Sequence, residues 1–349
     1  MEFLVEYGLF FAKAVTILVV IAVILALIAS SKQRVNNQNK GHIEVKKLNE
    51  TYDEYTDTLK EVVFDDSDLK QQQKDEKKQQ KLERKAQKKA QEQGDKARRK
   101  RVYVLNFDGD IKASANGSLR EEITAVLGLA EPQDEVVVRL ESGGGMVHGY
   151  GLAASQLTRI TEKSIPLTVC VDKVAASGGY MMACVANKIV AAPFAIVGSI
   201  GVVAQLPNFH RLLKKNDIDF ELYTAGEFKR TVTMFGENTD KGRAKFLEDI
   251  EQTHDLFKDY VQEHRPVVDI AKVATGEVWY GRRALEEKLI DELKTSDGYL
   301  LEQAQEADVF SVEFTHKKSL PEKLGFAAES TIDRLALRWL GRLQASRWF

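Results

Sequence analysis

Four short runs constrain this chain most: VYVLNF (102–107), EVVVRLE (135–141), PLTVCVD (166–172) and KIVAA (188–192). Apolar residues fill nearly every position in them instead of alternating. Such strands bury both faces and need helices on either side. The stretches 117–129, 148–163 and 178–186 carry helical patterning between them. Together they predict an α/β domain with a largely parallel, buried sheet over about 102–310. DFELYT (219–224) reads as a further strand. Residues 239–265 read as a long charged helix with Phe246, Ile250, Leu256, Phe257 and Val261 as its apolar members. The run Ile189–Ala204 is apolar enough to imitate a membrane span. Its Pro193, Gly198, Ser199 and Gly201, with many β-branched residues, fit two buried strands and a turn better.

The N-terminal end differs. Residues 8–29 hold one charge, Lys13, and suffice to cross ~30 Å of hydrocarbon as a helix. Ala29-Ser30-Ser31 resembles a signal-peptide cleavage site. An acidic N-terminus (Glu2, Glu6) and a long apolar run instead favour an uncleaved anchor over residues 1–31. Lys32, Arg34, Lys40, Lys46 and Lys47 follow it, which by the positive-inside rule places the rest of the chain in the cytoplasm. Residues 32–101 read as a charged linker. The net charge of −2 hides a local +9 over residues 70–101, rich in Gln, Lys, Ala and Glu without an apolar stripe. That composition predicts a solvated, partly helical or disordered spacer. No aromatic residues interleave with its bases, so no nucleic-acid partner is expected. Residues 311–349 form a tail in which Ile332, Leu335, Trp339 and Leu343 recur at helical spacing beside Arg334, Arg338 and Arg342. A basic amphipathic helix of this kind suits a lipid surface, another subunit or its own domain.

Composition narrows the function classes. With 44% hydrophobic and 29% charged residues, the 349-residue chain can build a core and is neither wholly disordered nor a disulfide-stapled mini-protein. A mean hydropathy of −0.30 is too polar for a polytopic membrane protein. Cys170 and Cys184 lie in apolar surroundings and read as buried thiols. The histidines are scattered, with neither HExxH nor CxxC, so no metal and no cofactor are expected.

Three motifs fall at strand ends, where open α/β sheets place their sites. Glu141-Ser142-Gly143-Gly144-Gly145-Met146 allows close backbone approach, yet it lacks the spacing of a phosphate loop and in isolation reads as a tight turn. Val174-Ala175-Ala176-Ser177-Gly178-Gly179-Tyr180 suits an exposed nucleophile at a helix start, with an ordinary N-cap serine as the alternative. Thr224-Ala225-Gly226-Glu227-Phe228-Lys229-Arg230-Thr231 offers a lysine. Lysine can serve as a base when desolvation favours its neutral form; on pattern alone Lys229 reads as a surface residue.

Taken together, the motifs resemble the signal peptide peptidase A family of serine proteases. The resemblance spans nearly the whole chain, through SLREEITAVL, RLESGGGMVHGYGLAASQL, VDKVAASGGYMMACVA, KIVAAPFAIVGSIGVVAQLPNF, TAGEFKRTVTMFGENT and ATGEVWYGRRALEEKLIDEL. It implies a ClpP/crotonase-type domain and a Ser-Lys dyad. Ser177 matches the family nucleophile, Lys229, 52 residues downstream, its general base, and Ser199 a serine that orients the lysine. Gly144 and Gly178 match the backbone donors of the oxyanion hole. The family's Ser-Pro-Gly-Gly is here Ser142-Gly143-Gly144-Gly145, which keeps the donor glycines and loses a rigid proline. The implied protein is an inner-membrane serine endopeptidase acting on signal peptides or other small, extended polypeptides, oligomeric and without cofactor. The resemblance points to a periplasmic catalytic domain, against the local basic residues. The rival readings are a crotonase-like acyl-CoA enzyme, which shares the fold but uses acidic residues, and an inactive membrane scaffold.

Overall fold

The computed structural model describes residues 41–65 and 98–316, with Val15, Thr16 and Lys78. The span expected over 8–29, apart from Val15 and Thr16, and the tail beyond His316 lie outside the described residues. Among the described residues no helix is long and apolar enough to cross a membrane. The chain divides into residues 44–313 and, separately, 1–43 with 314–349; the site lies in the first unit.

In chain order the elements are β1 (Gly41–Lys47), α1 (Leu48–Val63), β2 (Arg101–Gly109), α2 (Asn116–Leu127), β3 (Glu135–Ser142), α3 (Val147–Glu162), β4 (Leu167–Val171), β5 (Val174–Ala176), α4 (Gly178–Ala183), β6 (Lys188–Ala191), β7 (Ile196–Gly198), α5 (His210–Lys215), α6 (Asp240–His264), α7 (Ile270–Val273), β8 (Val278–Tyr280), α8 (Gly281–Glu286), β9 (Glu292–Leu293), α9 (Ser296–Glu306) and β10 (Asp308–His316). The sheet runs β1-β10-β2-β3-β4-β6-β9, parallel from β10 to β9. This is the mixed α/β architecture that the apolar runs predict. Val102, Val104, Val137, Cys170 and Val190 pack on one face with Tyr299 and Leu300 of α9. On the other, Phe107 meets Tyr150 of α3 edge to face, ring centroids 6.4 Å apart. In α3, Tyr150, Ala153, Ala154, Leu157 and Ile160 are fully buried at helical spacing.

A short second ladder leaves the end of β3. Ser142 pairs with Ala175 of β5, β5 runs parallel to β7 with Ala176 opposite Gly198, and β7 is antiparallel to β8. This ladder positions the site.

Three expectations differ from the structure. Residues 311–316, assigned to the tail, complete β10. Residues 41–63, assigned to the linker, form β1 and α1. The Asn49 side chain holds them: its amide nitrogen donates to the Ala304 and Ala307 carbonyls at 2.9 and 3.0 Å, and its oxygen accepts from Val309 N–H at 2.8 Å. Beyond Tyr52, α1 projects into solvent, which explains its linker-like composition. Residues 219–224, read as a strand, form no strand. A strand needs a partner for its ladder, and among the described residues none pairs here; Phe220 and Leu222 are exposed. Residues 202–238 instead make an arm closed on itself. Asn208 donates to the Thr233 and Gly236 carbonyls at 2.8 and 3.1 Å, and the Phe209, Phe220 and Phe235 rings cluster.

Candidate active site

Ser177 follows β5 and opens α4 with φ 52° and ψ −120°. A non-glycine residue held at positive φ stores about 1–3 kcal/mol of strain and persists only where its surroundings enforce it. The enforcement is visible. Ser177 N–H donates to the Gly198 carbonyl at 2.7 Å. Helix α4 is buried end to end and lies flush on its neighbours. A Cβ at Gly178 would stand 2.4 Å from Tyr150 Cγ, and one at Gly179 would stand 2.5 Å from the Ser142 carbonyl oxygen. The Ser-Gly-Gly triplet is therefore set by packing.

The glycine turn after β3 closes the other side. Gly144 has φ +86°, and a Cβ there would meet Gly178 N at 2.7 Å and Ser177 Cβ at 2.8 Å. Its N–H donates to Ser142 Oγ at 3.0 Å. Ser142 Oγ lies 2.5 Å from the Tyr150 hydroxyl, which donates to the Asp110 carbonyl at 2.7 Å. Gly144 thus abuts the serine while its own N–H is engaged. Gly145, which the sequence reading did not single out as a donor, lines the cleft with Ser177 and Gly178; a Cβ on it would strike the Ile111 carbonyl oxygen at 2.2 Å.

Ser199 follows Gly198 as Ser177 follows Ala176, and Ala176 and Gly198 are paired. Both serines have φ 52°. Ser199 N–H donates to the Glu277 carbonyl at 2.7 Å. Two serines in left-handed backbone thus stand at neighbouring strand ends.

Ser177 opens on a cleft of about 540 Å³. Val147, Leu152, Met181, Val203, Leu256 and Phe257 give it apolar walls, contributed by α3, α4, the start of the arm and α6. His148 and Tyr260 are its ionisable lining groups; neither was singled out from the sequence, where an isolated histidine and tyrosine carry no pattern.

Lys229 is placed elsewhere. It is exposed on the arm and is not among the residues lining the Ser177 cleft. Its N–H donates to the Gly226 carbonyl at 3.2 Å, and the adjacent Glu227 pairs with Lys241. One chain therefore brings Ser177, Ser199, Gly144 and Gly178 together, but not Lys229.

Among the described residues no group of three His, Cys, Asp or Glu is arranged to hold a metal ion. Cys170 and Cys184 are free and buried, and burial pushes both thiols up to about 12.

Residues 2–157 match the N-terminal region of peptidase family S49, and residues 159–310 match peptidase family S49 itself. The probable protease SohB of Haemophilus influenzae is 51% identical over 97% of this chain and 96% of its own. That of Buchnera aphidicola from Acyrthosiphon pisum is 47% identical over 97% and 98%. A solved structure, a lysine-to-alanine mutant of the 1510-N membrane-bound stomatin-specific protease in complex with a substrate peptide, overlaps 65% of this chain and 96% of its own at 14% identity, with a TM-score of 0.39. End-to-end identity near one half, with both S49 regions matched in order, makes this chain a member of peptidase family S49.

Proposed function

We propose that the chain is a membrane-anchored serine endopeptidase with a ClpP/crotonase-type domain, using a Ser177–Lys229 dyad. The observation that carries this reading is the strained Ser177, enforced by glycine packing and facing an apolar cleft. The Lys229 amine takes the Ser177 proton as Oγ attacks a peptide carbonyl. Backbone N–H groups of Gly178 and of the Gly144–Gly145 turn hold the oxyanion. Gly144 can contribute once Ser142 releases its N–H, whereas Gly145 already faces the cleft. The lysine returns the proton to the leaving amine, water hydrolyses the acyl-enzyme, and Ser199 orients the amine.

Because Lys229 does not line the cleft of its own chain, the base reaches Ser177 from the arm of a second copy. The arm exposes Val203, Leu206, Leu212, Phe220, Leu222 and Tyr223, an apolar surface of the kind that marks association. The homo-oligomer expected from the sequence is thus part of the catalytic proposal. Its substrates are extended peptides with apolar residues, signal peptides among them. Residues 8–29 anchor the enzyme in the inner membrane with the catalytic unit periplasmic, which a reporter fused after Phe349 checks.

The test is complementation. Purified Ser177→Ala and Lys229→Ala are each expected to be inactive, and mixing them to restore hydrolysis by pairing an intact serine with an intact lysine. Activity in Ser177→Ala alone refutes the nucleophile. An inactive mixture that forms mixed oligomers refutes delivery of the base between copies.

A further inference from the structure

A side chain outside the dyad reaches the backbone that carries Ser199. Helix α6 walls the cleft with Thr253, Leu256, Phe257 and Tyr260. Between the first two, the half-buried His254 places Nε2 3.1 Å from the Ile200 carbonyl oxygen. A carbonyl only accepts, so Nε2 carries the proton and donates.

Ile200 sits at a decisive point in the chain. Just before it, Gly198 and Ser199 hold φ of +88° and 52°. Just after it, Gly201, Val202 and Val203 line the cleft, and the exposed arm departs toward Lys229. A left-handed pair of residues needs fixing from several sides. Ser177 N–H fixes the Gly198 carbonyl and the Glu277 carbonyl fixes Ser199 N–H, both through the short ladder. His254 supplies a third point from a different element. It acts two residues beyond β7, where the chain has left the ladder and turns into the arm.

We infer that His254 is a positioning residue for hydrolysis. It fixes the Ser199–Gly201 turn, so that Ser199 and the Gly201–Val203 wall stay in register with Ser177, and it sets the angle at which the arm departs. This rests on the Ser177 and Ser199 roles proposed above and extends them to a residue that touches neither substrate nor reacting atoms.

The test uses the full-length enzyme, a chromogenic apolar peptide for kcat and KM, and a fluorophosphonate probe for the Ser177 phosphonylation rate. His254→Ala should lower kcat and the labelling rate about 10- to 100-fold, the scale on which small misplacements of reacting groups act. KM should move less than about twofold, because what is lost is alignment realised in the transition state and not ground-state binding. His254→Gln, which retains a side-chain N–H donor of similar reach, should recover most of the loss; His254→Leu should not. Adding His254→Ala to Ser199→Ala should cost under about threefold more, because the two act in series. Wild-type kcat in a folded His254→Ala protein overturns the inference, as does a loss that multiplies fully with Ser199→Ala. Melting of the Ala and Leu variants at assay temperature, with the Gln variant folded, makes the bond merely structural and overturns it too. Ser177→Ala runs alongside: activity there refutes the nucleophile itself, a separate failure.

Discussion

Gly178→Ala and Gly143→Ala change the same residue type within one site, and the structure assigns them opposite outcomes. A Cβ at position 178 would lie 2.4 Å from Tyr150 Cγ and 2.7 Å from its Cβ and Cδ2. Carbon atoms prefer about 3.5–4.0 Å, so the overlap exceeds about 1 Å. Tyr150 has no room to yield: it is fully buried, and its hydroxyl is tied to Ser142 Oγ and the Asp110 carbonyl. Helix α4 must move instead, dragging Ser177 out of its enforced backbone state. Overpacking of this kind costs about 1–3 kcal/mol, and a displacement near 1 Å at a nucleophile costs about 100-fold in rate. At position 143 an added Cβ meets nothing within 4 Å, and the residue is not held at positive φ. Alanine there narrows the unfolded ensemble and should be neutral or stabilising by up to about 1 kcal/mol. The assays are urea denaturation of each variant and the rate of fluorophosphonate labelling. Wild-type stability and labelling in Gly178→Ala, or a larger loss from Gly143→Ala, would refute the packing argument.

Asp134 is fully buried and accepts from Arg98 Nη1 and Nη2 at 2.9 and 2.8 Å, and from Arg101 and Glu131 N–H groups at 3.0 and 2.9 Å. Burial works to raise its carboxyl, but Arg98, the Glu131 N–H and Arg101 outweigh it and hold it well below the usual carboxylate range. A lowered folded value stabilises above the unfolded value of about 4, and that contribution fades as pH falls below it. Asp134→Ala should cost about 1–3 kcal/mol at pH 7 by removing the acceptor of the Arg101 and Glu131 N–H groups, and should flatten the acid limb of stability measured by urea titration from pH 7 to 3. Asn49→Ala removes three hydrogen bonds joining α1 to α9 and β10. It should expose α1 to limited proteolysis and cost about 1–3 kcal/mol, with Ser177 labelling unchanged; protease resistance equal to wild type would contradict that docking.

The sequence by itself determined the parallel sheet, because strands buried on both faces cannot alternate, and VVV (136–138) and LTVCV (167–171) do not. It also determined the local shape around Ser177: a strand, a serine and two glycines entering a helix is a short-range pattern, and Ser177, Gly178, Gly144 and Ser199 all lie within three residues of a strand end. Tertiary structure decided what those patterns cannot encode. Whether DFELYT becomes a strand depends on reaching a sheet edge, and among the described residues it pairs with none. Asn49, inside a stretch read as linker, docks through carbonyls more than 250 positions away. Gly145 and His254 look ordinary in sequence, since one needs the Ile111 loop and the other the Ile200 carbonyl to acquire a role. Lys229 carries this furthest: its motif is legible, but its separation from the Ser177 cleft is fixed by where an exposed arm goes, and no local pattern encodes that course.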